Sequence, residues 1–154
     1  MYNRRIRRPK DQEELYLRLT NKKEFGIFDT YKDIFMLSLV IGFLESERIS
    51  FNESAEPIPW QVFKERTDEP LINLIAVLDT GDLSFAMNGS EEQFHSKITI
   101  AEEYACAGIK KLQELIMQDE KNALQIVIDY IQEFESISDC EELNKNRLLK
   151  DLNL

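Results

Sequence analysis

Tyr31-Lys-Asp-Ile-Phe-Met-Leu-Ser-Leu-Val-Ile-Gly-Phe-Leu44 decides the fold class of this chain. Read as a helix, it places Ile34, Phe35, Leu37, Leu39, Val40, Ile41, Phe43 and Leu44 nearly all round the axis, and a helix apolar on every face belongs at the centre of a core. Asp29 or Thr30 can cap its start. Gly42 lets a neighbouring backbone come close. The apolar run from Ile34 to Leu44 is too short to cross a bilayer, which takes about 20 residues, and it is flanked by Lys32, Asp33 and Glu45.

Helical signals extend outward from this axis. Upstream, Asp11 to Thr20 reads as a short helix with Leu15, Tyr16 and Leu19 on one side and Asp11 as a plausible N-cap. Downstream, Pro59 suits the first turn of a short helix carrying Trp60 and Phe63. From Glu69, the residues Leu71, Ile72, Leu74, Ile75, Val77 and Leu78 fit a helix, although their density also suits a buried strand, and Pro70 favours the helix. The longest helical pattern starts at Ser90, with Phe94, Ile98, Ala101, Ala105, Ile109, Leu112 and Ile116 at three- and four-residue steps. Its small residues Ala101, Ala105, Ala107 and Gly108 permit close helix contact. A fifth helix spans Asn122 to Phe134.

Two short stretches read as extended, Ile49 to Phe51 and Leu83 to Met87 before the Asn88-Gly89 turn, and they are candidates to pair. The expectation is a mainly α, compact bundle of about five helices with at most one short β-hairpin. Its parts are a basic N-terminal arm (1–10), a single helical domain (11–137) and a C-terminal tail (138–154) whose Leu143, Leu148, Leu149 and Leu152 have the spacing of a docking helix.

Composition agrees with one globular domain. The 154 residues are 43% apolar and 31% charged, with 5 Gly and 4 Pro, and a chain of this length buries roughly 70% of its unfolded surface. The net charge of −10 hides an asymmetry. Arg4, Arg5, Arg7, Arg8 and Lys10 crowd into the first ten residues without an acid, against 14 basic and 29 acidic residues in the remainder. An acidic body repels nucleic acid, while the basic arm can meet a phosphate backbone or an acidic protein surface. Otherwise the arm is a frayed terminus, or a strand paired on the edge of the body.

Chemistry is poorly signalled. Cys106 and Cys140 are too few for a disulfide framework and lack the spacing of a metal site. The single His95 has no nucleophile at a recognisable elbow, and no glycine-rich phosphate loop is present. Glu102-Glu103, Asp79 with Asp82, and Glu91-Glu92 are acid pairs of the kind chance supplies among 29 acids. Glu102 and Glu103 point about 100° apart on a helix, so both cannot face one ion. No catalytic, metal or cofactor residues are therefore expected. Trp60, next to Pro57 and Pro59, is a candidate interface anchor or a lid on the core. With no apolar signal core at the start, the expected location is the cytoplasm.

Three stretches together carry a family resemblance: Arg4-Arg-Ile-Arg-Arg-Pro-Lys-Asp11, Phe28-Asp-Thr-Tyr-Lys-Asp33 leading into the apolar run, and Glu102-Glu-Tyr-Ala-Cys-Ala-Gly108. Over roughly Arg4 to Leu115 the chain resembles the small accessory protein of bacterial DNA phosphorothioation (Dnd) islands known as DNA phosphorothioation-associated protein four. The resemblance implies an intracellular, non-catalytic accessory or adaptor of a modification and restriction system that defends against phage, with its protein subunits as partners. Two other readings stay open: direct DNA binding through Arg4, Arg5, Arg7 and Arg8, and a metal-dependent nuclease built on scattered carboxylates. A homodimer is compatible with all three.

Overall fold

In the computed structural model, residues 4–24, 26–87, 89–136, 149 and 152 are described. The expected docking of the C-terminal tail, Cys140, and the Asn88 half of the turn lie outside them. Among the described residues five α-helices are delimited: α1 (Glu13–Thr20), α2 (Tyr31–Leu44), α3 (Asp68–Thr80), α4 (Glu91–Gln118) and α5 (Ala123–Glu135). The mainly α class is the one expected. The chain divides into two compact units, Met1–Glu114 and Leu115–Leu154.

In the first unit α2 is the axis its composition implies. Every residue from Tyr31 to Leu44 is buried or half-buried, with Ile34, Phe35, Ser38, Leu39, Ile41 and Gly42 buried. Thr30 is the cap: its side chain accepts from the Asp33 backbone N–H at 3.2 Å. This satisfies one of the donors a helix start leaves open. At its middle α2 runs against α4. A Cβ at Gly42 would lie 2.0 Å from the Tyr104 carbonyl oxygen, and one at Gly108 would lie 1.7 Å from that of Ser38. Both glycines are therefore required by backbone contact.

The segment from Glu69 resolves as a helix, ended by Gly81 with φ 73, a left-handed conformation natural to glycine. Asp11 does not cap α1. It lies in a 3-10 turn, Lys10–Gln12, and α1 follows with no side-chain cap.

The expected pairing of Ile49–Phe51 with Leu83–Met87 is not what forms. Leu83–Ala86 is a 3-10 turn capped by Asp82, and the Ile49 N–H donates to the Glu103 carbonyl at 3.1 Å. The extended pairing lies elsewhere, as isolated antiparallel bridges Ile6 to Ile58 and Pro9 to Ser54. Ile6 and Ile58 exchange both backbone bonds, at 2.9 and 2.8 Å, and Ala55 donates to Arg8 at 2.9 Å. Pro9, Pro57 and Pro59 have no N–H to donate, so the ladder stays at single bridges.

The second unit holds the last turn of α4 and α5. Asp119 caps the 3-10 turn Glu120–Asn122 through the Lys121 N–H. Ala123, Val127 and Tyr130 of α5 are buried, while Leu124 and Ile128 on its other side are exposed.

Candidate functional site: an inward-facing cluster of arginines

The residues expected to form a basic arm are drawn into the first unit. The bridges to residues 54–58 fix the backbone of residues 6–9, and Ile6 is wholly buried in the core with Ile58. This placement sets where each cation goes.

Arg4 and Arg7 converge on Glu102, whose side chain is 0% exposed. The Arg7 backbone N–H and Nε donate to its two oxygens at 2.9 and 3.0 Å. Arg4 Nη2 lies 3.3 Å from the same carboxylate and also donates to Thr99 at 3.1 Å, while its Nη1 donates to the His95 carbonyl. Arg7 further rests over the Phe51 ring. A buried carboxylate is tolerable only when paired and hydrogen-bonded; here two guanidinium groups and a backbone amide meet that condition.

Arg8 is 1% exposed. Its guanidinium carbon lies 4.7 Å from the ring centre of Tyr16 and 4.4 Å from that of Tyr31. Nε and Nη2 both donate to the Glu56 carbonyl, at 3.0 and 2.8 Å, and Nη1 has no partner among the described residues. Burial pushes the Tyr16 hydroxyl well above the usual tyrosine range, with the positive charge of Arg8 opposing the shift. Arg5 and Lys10 are exposed. The run thus splits into three arginines used by the fold and two cations in water.

Trp60 is half-buried in an aromatic cluster. It stacks on Phe63 at 5.4 Å and meets Phe94 edge-on at 5.2 Å, packed against the core rather than standing clear of it. It also lines a cavity of about 370 Å³ with Glu69, Asn73, Gln93 and Lys97.

The acid pairs separate as helix geometry requires. Glu102 turns inward to Arg4 and Arg7, whereas Glu103 bonds Arg48 at 2.9 Å. Asp79 takes Arg48 at 2.8 Å and the Tyr104 hydroxyl at 2.6 Å, and burial together with Asp79 pushes that hydroxyl up to about 12. Asp82 caps the turn at Ser84. Exposed Glu91 lies 3.6 Å from His95. Among the described residues no three metal-ligating side chains come together, and burial raises the pKa of the Cys106 thiol. No described helix is long and apolar enough to cross a membrane.

Sequence reasoning missed Glu102 and the Tyr16–Arg8–Tyr31 sandwich. The first left a trace: Ile98, Glu102, Ala105 and Ile109 occupy one stripe of α4, and an acid in an apolar stripe asks for a buried cation. The sandwich left none, because its three residues come from separate segments.

The class defined here is a mainly helical protein in which three arginines of its densest run of cations pair within the fold. The family model for DNA sulphur modification system-associated protein 4 matches residues 5–148, and the chain belongs to that family. No curated protein and no solved structure matches the chain. The family is associated with DNA sulphur modification systems, in line with the resemblance carried by the three stretches above.

Proposed function

We propose that this protein is a non-catalytic accessory subunit of a DNA sulphur modification and restriction system in phage defence, acting in the cytoplasm through contacts with protein subunits. The observation that carries this reading is the fate of the basic run. With Arg4 and Arg7 both held by the one carboxylate of Glu102, and Arg8 enclosed, only Arg5 and Lys10 of the five cations are exposed residues outside that pairing, on a chain of net charge −10. Binding to a DNA backbone rises with the number of phosphates neutralised, each adding roughly one to the salt slope. Two exposed cations on an acidic body support little of it. Protein contact makes no such demand.

The test is a tagged pull-down from the native host, comparing the full chain with an Arg5→Glu/Lys10→Glu double variant. Truncation would confuse the result, since residues 6–9 are part of the core packing. Recovery of modification or restriction subunits with both proteins is expected. Recovery of the protein alone, or of DNA in a salt-sensitive manner lost in the double variant, would overturn the reading.

A further inference from the structure

The cavity of about 370 Å³ beside Trp60 lies between the starts of α3 and α4. Part of its polar wall is satisfied internally. The Gln93 side chain accepts from the Ser90 backbone N–H and donates to the Ser84 hydroxyl, and the Ser90 hydroxyl accepts from the Gln93 N–H. The charged part is not. Glu65, Glu69 in the first turn of α3, and Lys97 two turns into α4 all line the space. Glu69 and Lys97 are half-buried, and neither side chain makes a hydrogen bond or ion pair among the described residues. Lys97 Nζ lies over the Phe94 ring, 5.1 Å from its centre.

Two opposite charges thus border one cavity without touching, and a half-buried charge is costly until it is paired. Burial raises the pKa of the Glu69 carboxyl, with Lys97 opposing and Glu65 adding to the rise, and burial lowers that of the Lys97 ammonium against the pull of Glu69. Both charged ends are nevertheless within reach of a ligand. Neither is among the enclosed polar atoms that lack a partner, and Glu65 and Met87 of the wall are exposed, so no side chain has to move. The Asn73 oxygen, by contrast, is enclosed and out of reach. Trp60, Phe85 and Met87 supply the apolar side.

We infer that this cavity binds a small zwitterion, an apolar amino acid or a short peptide of the same chemistry, with its carboxylate at Lys97, its ammonium at Glu69 and Glu65, and its apolar side chain against Trp60 and Met87. The charges select this class. A simple amine would leave Lys97 unpaired and be repelled by it. A simple carboxylate would meet two acids, and a phosphate ester would meet them with more charge. A ligand carrying both signs pairs both sides of the wall. The volume falls at the lower end of the range of about 300–1,000 Å³ common for small-ligand sites. The inference does not depend on the accessory role proposed above, and its test uses the isolated protein.

The chain has a single tryptophan, so Trp60 fluorescence reports on this cavity. The full chain is titrated with L-phenylalanine, L-leucine, N-acetyl-L-phenylalanine, which lacks the ammonium, and L-phenylalaninamide, which lacks the carboxylate, with affinities from calorimetry. A saturable change is expected with phenylalanine or leucine. Phenylalanine should bind at least about tenfold tighter than its acetyl and amide forms, because charge-assisted bonds are the stronger ones. Lys97→Gln and Glu69→Gln should each weaken phenylalanine at least about tenfold while the melting temperature holds or rises, since each removes an unpaired half-buried charge. In Lys97→Gln the preference for phenylalanine over its amide should disappear, a coupling that a general loss of structure would not produce. The two variants lie on different helices, so one decides the matter if the other does not fold. Glycyl-L-phenylalanine separates the sources: tighter binding than phenylalanine assigns the zwitterion to a short peptide, and the reverse order to a free amino acid. No saturable response to phenylalanine, leucine or the dipeptide at tens of millimolar, equal binding of the acetyl or amide form, or unchanged affinity in either folded variant would each overturn the inference.

Discussion

The crossing of α2 and α4 and the docking of residues 4–10 hold the same unit together by opposite means. At the crossing, two glycines remove side chains so that backbones touch, with apolar residues filling the flanks. At the N-terminal segment, long charged side chains reach inward to a shared carboxylate, to backbone carbonyls and to aromatic faces. The crossing depends on shape and is local to two helices. The docking depends on pairing and draws on residues about 50 to 100 positions away. Packing without side chains tolerates no addition, while packing through charge tolerates no subtraction.

That contrast can be broken from either side. The largest effect is expected for Gly108→Ala, where a single methyl would meet a backbone oxygen that cannot rotate away; we expect a loss of about 4 kcal/mol or more, against the 1–3 typical of overpacking. Denaturant melts check it, and a near-neutral result would mean that α2 and α4 can separate freely. Next comes Glu102→Ala, which leaves two guanidinium groups facing a buried void. A loss of about 3 kcal/mol is expected, little altered by salt. If instead the loss is small and residues 4–10 gain hydrogen exchange, the segment docks without help from its charges.

Glu103 sharpens the comparison because it is the next residue of the same helix. Its bond to Arg48 is more exposed, and Arg48 keeps Asp79 as a second partner, so Glu103→Ala should cost only about 0.5–1 kcal/mol, and half-molar salt should erase most of that. A loss equal to that of Glu102→Ala would dissolve the distinction between buried and surface pairs. The smallest effect at neutral pH belongs to the tyrosines. Tyr104, pushed up to about 12, and Tyr16, shifted further, stay protonated in the fold above the unfolded value of about 10. Their contribution is therefore complete below pH 10 and is lost as pH rises, through about 12 for Tyr104. Alkaline melts should show stability falling from pH 10 upward, with a shallower fall in Tyr104→Phe.

Periodicity located the five helices and the buried character of α2, because those features repeat within each segment. The same kind of reasoning placed the hairpin wrongly. Short alternating stretches at 49–51 and 83–87 satisfy the pattern of a strand, but a strand exists only with a partner, and here Asp82 capping and the bond from Ile49 to Glu103 claim those backbones first. The candidate site was legible as a list of cations on a segment read as a free arm, a frayed terminus or a strand paired on the body, and the bridges at Ile6 and Pro9 take the last of these. Which of them face water depends on the register between residues 6–9 and 54–58, and no local pattern encodes it.

By itself the sequence determined that this protein is helical, acidic and centred on one apolar helix, and that Gly42 and Gly108 mark a close approach, since composition and spacing act through neighbours along the chain. Only the tertiary structure decided that a run of five cations is divided between the core and the solvent. A charged group is assigned by where its counter-charge lies in space, and for Arg4 and Arg7 that counter-charge is Glu102, more than ninety residues away along the chain.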